Sequence, residues 1–332
     1  MTKQTRYFLL GSATTLLLGL AVGVFAYYGG LSGIASMQST GVARDLEYVP
    51  ADATVVAYAN VREVMTSEMR QRVKRFEPEG DKGKKEFEDK TGVDIDSDID
   101  RVLACVTPDA SGNSSPEGGG FVLARGRFNQ VKIEGLVREQ GGRAEQYNGI
   151  QLLVYEPGKQ KKDRFALAFV EPGLLAMGSS GGVRKAIDSK RGGKSIRSKP
   201  EVMKQIEAID EGNVWAVGRF DVLTEQAHLP REMAGKLPPI NMFSASGRVN
   251  GGVSGTITAQ ASDEQAANNL RDVVRGMLAL ARLQSGGNPQ VQNLLQSLQM
   301  GGSGTSVSIS FTIPVELLDA FAPKKGRAVV QP

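Results

Sequence analysis

The segment TVVAYANVREVM (residues 54–65) joins a run of β-forming residues to the start of a helix. The apolar run VVAYA is typical of a strand. Asn60 then offers a helix N-cap, and Glu63 stands three residues later, as in a capping box. A second segment, NVWAVGRFDVLT (residues 213–224), repeats this order with Asp221 as its cap. The chain therefore contains two strand-to-helix units of the same kind, far apart in sequence.

Each unit is followed by two strands, a capped helix and a closing strand-to-helix segment. In the first group these segments are DIDRVLACV (98–106), GGFVLARGRFNQVKIEGLVRE (119–139) and LLAMGSSGGVRKAID (174–188), and in the second INMFSASGRV (240–249), GVSGTITAQASDEQAANNLRDVVRGML (252–278) and TSVSISFTIPVELLDAF (305–321). Ser262 and Gln265 form a further predicted capping box. The matching order predicts an internal duplication, although strand-to-helix junctions also look alike in unrelated α+β proteins.

We therefore predict an α+β fold in which antiparallel strands lie side by side with helices packed on one face. The predicted divisions are a cytoplasmic N-terminus with a transmembrane anchor (1–35), a linker (36–47), a first α+β half (48–210), a second α+β half (211–322) and a mobile basic tail (323–332).

The N-terminus carries a long apolar stretch. The 21 residues from Phe8 to Tyr28 contain no charged residue, and Lys3 and Arg6 precede them. About 20 apolar residues in a helix cross the hydrocarbon core of a bilayer. The basic residues on the N-terminal side favour a cytoplasmic N-terminus and an exported remainder. We predict a single-pass anchor in the inner (cytoplasmic) membrane, with the domain in the periplasm.

The alternative to an anchor is a cleaved signal peptide. Val24-Phe25-Ala26 fits a small-x-small cleavage site. The length of the apolar stretch favours the anchor. Both interpretations place residues from about Gln38 onward outside the cytoplasm.

The composition excludes several common types of active site. The 332 residues include one cysteine, Cys105, and one histidine, His228. A lone Cys and a lone His far apart in sequence do not build a usual zinc site. Cys105 lies in the apolar run RVLACV, which is typical of a buried, inert thiol. No pattern predicts a cofactor or a metal ion, and we predict that the protein is not an enzyme.

The net charge of +4 does not indicate a nucleic-acid partner. Nucleic-acid binding needs basic residues gathered on one face, and Lys3 and Arg6 before the anchor supply two of the excess charges. Two segments that resemble phosphate-binding or calcium-binding motifs lack residues that those motifs require. GGKS (192–195) lacks the first glycine of a P-loop, and VDIDSDID (93–100) lacks the glycine and the glutamate of an EF-hand.

One candidate anion site is the segment GSSGGVRK (178–185), where a strand passes into a helix. Free backbone N–H groups and the helix dipole attract anions at such a position. The candidate residues are Gly178, Ser179, Ser180, Gly181, Arg184 and Lys185. The competing interpretation is a simple helix cap.

A basic run follows this helix. Its members are Lys190, Arg191, Lys194, Arg197 and Lys199. Such a run is a candidate contact for anionic head groups or an acidic partner, and the alternative is a solvated loop. The tract MLALARLQ (277–284) with NLLQSLQM (293–300) is rich in Leu and Met. We interpret it as core, with a lipid-facing groove as the alternative.

Three segments resemble uncharacterised bacterial membrane-anchored proteins with a duplicated extracytoplasmic domain. They are YVPADATVVAYANV (48–61), TGVDIDSDIDRVLACV (91–106) and LLAMGSSGGVRKAID (174–188). The resemblance covers most of residues 48–320. It implies the anchored, duplicated layout. It implies no activity, because that family has none assigned, and it transfers no site residues.

Three functions remain open at this point. The first is a non-enzymatic, membrane-tethered domain that binds protein, as an accessory subunit of an envelope complex. The second is a carrier or sensor of a lipid or small apolar ligand, held between the sheet and the Leu/Met-rich helices. The third is a hydrolase that uses carboxylates alone, which needs two acidic residues in one cleft.

Overall fold

The computed structural model describes most of the chain beyond the predicted anchor. The described residues are 39–71, 82–108, 112, 114, 119–156, 164–209, 212–220, 238–284 and 289–314. The predicted anchor (8–28), Asp221, His228, the helix predicted after Pro314 and the tail (323–332) lie outside them. Within the described ranges, no helix is both long and apolar enough to cross a membrane.

The described strands form one antiparallel sheet with the order β11-β12-β10-β9-β8-β1-β2-β3-β7-β6-β5-β4. These strands are β1 Val55–Ala59, β2 Ile99–Val106, β3 Gly120–Gly126, β4 Arg143–Tyr147, β5 Ile150–Tyr155, β6 Phe165–Glu171, β7 Leu174–Ser179, β8 Val214–Arg219, β9 Ile240–Val249, β10 Gly252–Ala261, β11 Gln299–Gly301 and β12 Ser306–Pro314. Both predicted halves therefore contribute to a single sheet.

The two predicted halves meet where β1 pairs with β8. Ala57 lies opposite Ala216 in this antiparallel pair, and Tyr58 lies opposite Trp215. The rings of Tyr58 and Trp215 stack with centroids 5.4 Å apart. Trp215 is fully buried. The two β-type runs that the sequence repeats are therefore direct neighbours at the centre of the sheet.

The helices pack on both faces of the sheet. Their bounds are α1 Ser39–Asp45, α2 Val61–Thr66, α3 Lys82–Thr91, α4 Ile95–Asp98, α5 Gln130–Glu139, α6 Ser180–Gly192, α7 Pro200–Ile209, α8 Glu264–Gln284 and α9 Pro289–Ser297, with short 3-10 helices at Leu46–Tyr48 and Ile196–Ser198. One core cluster joins Trp215 to Ile187 of α6 and Ile206 of α7. We call this side the Trp215 face.

The opposite side, the Ala57 face, has its own core. Ala57 clusters there with Val61 of α2 and Ile133 of α5. The β8–β9–β10 register places Ala259 on the same side, where it packs near Leu270 of α8. The prediction of helices on one face is therefore wrong. The physical reason is that central strands such as VVAYA are apolar at successive positions, and successive side chains point to opposite faces.

Helix caps follow the sequence closely, with two departures. Asn60 Oδ1 accepts a hydrogen bond from the N–H of Glu63 at 3.1 Å, as predicted. The backbone N–H of Asn60 donates to Asn213 O, so Glu63 does not complete a reciprocal capping box. The predicted box at Ser262 is displaced by one residue. Asp263 caps α8, and its Oδ1 accepts from Ala266 N–H at 2.7 Å.

The predicted linker is largely folded from residue 39 onward. Helix α1 is followed directly by the 3-10 helix Leu46–Tyr48. Val42 and Leu46 are buried in the same core cluster as Trp215. The chain therefore joins the core within a few residues of the first described position.

The two edges of the sheet resist pairing with other chains. At one edge, β4 carries the charged residues Arg143 and Glu145. At the other, β11 contains only three residues, Gln299–Gly301. Charged and short edge strands are the usual protection against edge-to-edge association.

We predict that Trp215→Ala strongly destabilises the fold, because the side chain is 1% exposed at the centre of the sheet. Truncation of a buried tryptophan leaves a cavity and costs about 3–5 kcal/mol of unfolding free energy. Urea unfolding of the full chain in detergent, followed by far-ultraviolet circular dichroism, measures this change. Val131→Ala is the control, because Val131 on α5 is 83% exposed. Equal midpoints for the two variants would contradict the central role of the β1–β8 pair.

Candidate functional site

A buried carboxylate organises the largest charged cluster that we identify in the described chain. Asp45, the last residue of α1, is 3% exposed. Its Oδ2 lies 2.7 Å from Arg101 Nε, and its Oδ1 lies 2.9 Å from Arg125 Nη2. Arg125 also contacts Glu171 Oε2 at 3.0 Å. We call Asp45, Arg101, Arg125, Glu171 and Tyr48 the Asp45 cluster.

Strand register explains why two arginines lie side by side. Arg101 of β2 is the antiparallel partner of Arg125 in β3. Both belong to strands whose neighbouring same-face residues, Leu103 and Leu123, are buried. Two adjacent guanidinium groups repel each other unless a carboxylate lies between them. Asp45 supplies that carboxylate, and α1 is thereby bound to two strands of the sheet.

Tyr48 and Glu171 extend the cluster. The Tyr48 hydroxyl donates a hydrogen bond to Glu171 Oε1 at 3.0 Å. Burial and this bond to a carboxylate raise the pKa of Tyr48 well above its ordinary value, so it stays a neutral donor. Burial also acts to raise the pKa of Glu171, but hydrogen bonds from Arg125 and Tyr48 outweigh it. The pKa of Glu171 therefore lies below its ordinary value.

Two residues of the predicted basic run reach the outer side of this cluster. Lys190 of α6 and Arg197 both contact Glu47, the Arg197 Nη1–Glu47 Oε1 distance being 2.7 Å. Lys190 Nζ also lies 5.3 Å from the centre of the Tyr48 ring. The hydrogen bond from Lys190 is the main cause that holds the pKa of Glu47 below its ordinary value.

The other members of the basic run lie at the surface. Arg191, Lys194 and Lys199 are exposed, and none forms an ion pair with a described residue. Two members of the run therefore form ion pairs that bind α6 to the chain after α1. The side chains of the other three members are exposed and can contact other molecules.

The side chains of the predicted anion site contact other parts of the protein. Ser179 caps α6, and its hydroxyl accepts from Gly182 N–H at 3.0 Å. Arg184 instead contacts Glu145 and lies over the Tyr147 ring, 4.6 Å from its centre.

Lys185, Ser180 and the glycines also have other environments. Lys185 Nζ contacts Asp52 Oδ2 and the Pro108 carbonyl, each at 2.8 Å. Ser180 is buried, and its backbone N–H donates to Arg164 O. Gly178 is buried in β7, whereas Gly181 is exposed in the first turn of α6. The contacts observed here are those of a helix cap with flanking ion pairs.

A polar cleft adjoins the Asp45 cluster. It has a volume of about 330 Å³ and is lined by Tyr58, Asn60, Arg62, Asp100 and Arg101. Arg62 Nε lies 2.9 Å from Asp100 Oδ1, and this pair forms a partly exposed rim. Arg101 belongs to both the cleft and the cluster. The volume lies at the lower limit for small-ligand pockets.

The chemistry of these groups favours binding over catalysis. Both Asp45 oxygens are occupied by arginines, so this carboxylate is poorly placed to accept a proton from a substrate. Cys105 is buried, and burial raises its pKa well above the ordinary value, which keeps the thiol protonated.

The acidic segment 93–100 is held by cations of the chain. Lys84 contacts Asp94 and Asp96, and Arg127 contacts Asp98. In the described part of the chain, no group of three or more His, Cys, Asp or Glu side chains has the geometry to hold a metal ion.

Sequence reasoning missed the Asp45 cluster because its members are distant in the chain. One signal was present. Arg101 and Arg125 each stand at the end of an apolar run, in RVLACV and FVLARG. A charged residue within such a run needs a partner in the fold. The sequence does not show that Asp45 is that partner, since it lies in a segment interpreted as linker.

We predict that Asp45→Ala lowers the unfolding free energy by about 3 kcal/mol, because it leaves two arginines without their shared carboxylate. The value is at the lower end for buried pairs, since Arg101 and Arg125 retain 17% and 21% exposure. Denaturant unfolding of the full chain measures it. Asp52→Ala removes an exposed pair with Lys185 and should cost less than about 1 kcal/mol. Equal losses for both variants would rule out a special role for Asp45.

The ionisation of Glu171 should make the stability of the fold depend on pH in the acidic range. Its folded pKa lies below the ordinary value of 4.5, so the fold favours the ionised form. This contribution is fully present above the unfolded pKa and is lost as the pH falls through the folded pKa. We predict that Glu171→Gln makes the loss of stability below about pH 5 shallower.

Urea midpoints at neutral and acidic pH measure this effect. Glu139→Gln is the control, because Glu139 is exposed at the end of α5 and has no described ion pair. If the urea midpoint of the Glu171→Gln variant falls with decreasing pH as steeply as that of the wild type, other carboxylates control the loss of stability in acid.

Comparison with known proteins identifies the family of the chain and leaves its function open. No curated protein and no solved structure is significantly similar to the chain. A family model described as a protein of unknown function (DUF3352) matches residues 9–230, which is more than half of the chain. The match includes the apolar N-terminal stretch, α1, the Asp45 cluster and β8. The chain therefore belongs to the DUF3352 family.

Proposed function

We propose that the protein is a non-enzymatic, membrane-tethered domain that binds a protein partner on the extracytoplasmic side of the membrane. Residues 8–28 would form the single-pass anchor in the inner membrane, with the N-terminus in the cytoplasm and the domain in the periplasm. The partner would be a component of an envelope complex, to which this chain is an accessory subunit.

The observation that carries the proposal is the binding of α1 to the sheet by the Asp45 cluster. Only residues 29–38 separate the apolar stretch from Ser39, where α1 begins. A chain that needed only to be retained at a membrane could use a long flexible linker. Here α1 is held by a buried charge pair and by buried Val42 and Leu46. This supports a domain whose orientation relative to its anchor matters, as in a subunit that presents one surface to a neighbour.

The alternative functions have less support. A carboxylate hydrolase needs two acidic residues that are free to exchange protons. Asp45 and Glu171 do approach a common group, but that group is Arg125, which neutralises both. A lipid carrier would use the Leu/Met tract as the wall of an apolar cavity. Instead, α8 exposes Met277, Leu280 and Leu283 to solvent.

We also propose that the domain arose by internal duplication, with halves 48–210 and 211–322. The strand order supports this proposal. Counting outward from the β1–β8 pair, β1-β2-β3-β7 on one side corresponds to β8-β9-β10-β12 on the other. In each series the third strand is followed by a helix on the Ala57 face, α5 and α8 respectively. The proposed duplication would have its centre at the pairing of Ala57 with Ala216, between the two repeated segments.

The polar cleft is the surface that we assign to the partner. Its rim residues Arg62 and Asp100 are 49% and 37% exposed, so both can exchange their mutual contact for contacts with another chain. Arginine is enriched among residues that dominate binding energy at protein interfaces. Through Arg101, the cleft is continuous with the cluster that fixes α1.

Native mass spectrometry of the full chain, extracted gently from its own membranes, tests this function. We predict that a protein partner copurifies in stoichiometric amount and that Arg62→Ala lowers its occupancy at least tenfold. Arg138→Ala is the matched control, since Arg138 on α5 is 46% exposed and also has one ion pair. The intact mass in the same spectrum shows whether the N-terminal stretch is retained.

Two outcomes would contradict the proposal. A chain with a lipid-sized adduct and no protein would favour the carrier function. Equal occupancy in the Arg62→Ala and Arg138→Ala variants would show that the partner binds outside the cleft.

A further inference from the structure

The end of α6 and the chain that follows it gather positive charge on the Trp215 face. Residues 189–199 include five Lys or Arg and no carboxylate. We call residues 189–199 the basic segment. Arg44 adds a sixth cation, because it is exposed and lies three residues before Glu47 in the continuous helical stretch of α1 and the first 3-10 helix. Residues three apart lie on the same side of a helix, and Glu47 contacts the basic segment.

The neighbouring carboxylates balance only part of this charge. Glu47 is shared by Lys190 and Arg197. Asp188 and Glu201 flank the basic segment in sequence. Six cations against these three carboxylates leave an excess of three positive charges. The adjoining Asp45 cluster adds no net charge, since it contains two arginines and two carboxylates.

The backbone that carries these cations is fixed to the chain after α1. Ile196 N–H donates to Val49 O at 2.7 Å, and Ala51 N–H donates to Lys194 O at 3.1 Å. Ser189 and Ile196 are buried. The cations therefore project from a rigid frame. This contrasts with a solvated loop, which has few buried contacts and opens easily.

The proposed anchor would keep a bilayer close to this frame. Glu47 comes eight residues after Ser39, a rise of about 12 Å along a helix. Residues 29–38 span at most about 36 Å when fully extended. The basic segment then stays within about 50 Å of the end of the apolar stretch, which gives even a weak surface contact a high effective concentration.

We infer that the basic segment and Arg44 contact the anionic lipid head groups of the membrane that holds the anchor. This inference rests on the proposed tether, which it deepens by giving the domain a second contact with the bilayer. The cations are spread over the last turn of α6, the connection after it and the 3-10 helix Ile196–Ser198. Lipid head groups move laterally and can meet cations at such different positions, whereas a protein partner needs a matching arrangement of carboxylates.

Short-range fluorescence quenching tests this contact directly. Gly192, the last residue of α6, is exposed, and a side chain added there would meet no other atom within 4 Å. Cys105 is the one cysteine of the chain and is 1% exposed, so it should not compete for a thiol reagent. A fluorophore is attached at Gly192→Cys in the full chain. The chain is inserted into nanodiscs of phosphatidylcholine and phosphatidylglycerol, in which some head groups carry a nitroxide quencher.

We predict that quenching at position 192 is severalfold stronger than at Val131→Cys. Val131 is the control because it is 83% exposed on α5, which packs on the Ala57 face. The difference between the two positions should disappear in discs of phosphatidylcholine alone. It should also disappear at about 0.5 M salt, because salt screens contacts between exposed charges.

Charge removal shows whether these cations are responsible. Each cation near an anionic surface changes the docking equilibrium by about fivefold, so removing three should lower it on the order of a hundredfold. The three exposed members of the run have no ion pair with a described residue, so their loss should leave the fold intact; the variant combines Arg191→Gln, Lys194→Gln and Lys199→Gln. A control with the same change of net charge at exposed positions outside the basic segment combines Lys85→Gln, Arg143→Gln and Arg275→Gln.

The contrary results are distinct. Equal quenching at positions 192 and 131 in correctly inserted protein would overturn the lipid contact and leave the tether intact. Equal quenching at position 192 in the two triple variants would show that other groups hold the domain near the bilayer, which also overturns it. A protein that copurifies from native membranes with the wild type but not with the first triple variant, together with equal quenching at 192 and 131, would assign the surface to an acidic partner. Failure of the intact chain to enter nanodiscs would remove the tether itself, and the inference with it.

Discussion

The pairing of β1 with β8 is the constraint on which the rest of the structure depends. It joins strands from the beginning and the middle of the chain, so that one continuous sheet replaces two smaller ones. The central strands then have neighbours on both sides and no free edge. Because their side chains are apolar on both faces, each face must be covered. The two core clusters follow from that requirement. So does the placement of α6 and α7 on one face and of α2 and α5 on the other.

The Asp45 cluster solves a second problem, which is how a chain segment is fixed to a sheet already covered by helices. Apolar contacts through Val42 and Leu46 hold the segment on the core, but apolar contacts are not directional. The paired contacts of Asp45 with Arg101 and Arg125 are directional and set the position of α1 along the strands. All these residues lie within the DUF3352 match, whereas α8 and strands β9–β12 lie beyond residue 230. The attachment of α1 is thus part of the region that defines the family.

Local features of the fold could be predicted from the sequence because they depend on neighbouring residues. The strand VVAYA, the Asn60 cap and the β7–α6 junction are all present at their predicted positions. The errors concern longer distances. Helices on the second face were signalled by apolar residues at successive positions of central strands such as VVAYA. The cap of α8 moved from Ser262 to Asp263, since both are good caps and only tertiary packing selects between them. The Asp45 cluster could not be predicted, because no local pattern links residues 45, 101, 125 and 171.

The fixed position of α1 would also limit how the proposed partner is recognised. A domain on a flexible linker can search for a partner by rotating, and its binding surface can lie anywhere. In this chain the segment from Val42 to Val49 is part of the core, so this segment cannot rotate relative to the sheet. A surface close to the Asp45 cluster then keeps a nearly constant position relative to the point where the chain leaves the domain. The cleft at Arg62 and Asp100 has this property, because Arg101 is shared between it and the cluster. With the proposed anchor in place, a partner in the same membrane would find such a surface at a defined height, and this would reduce the orientational entropy that association has to overcome.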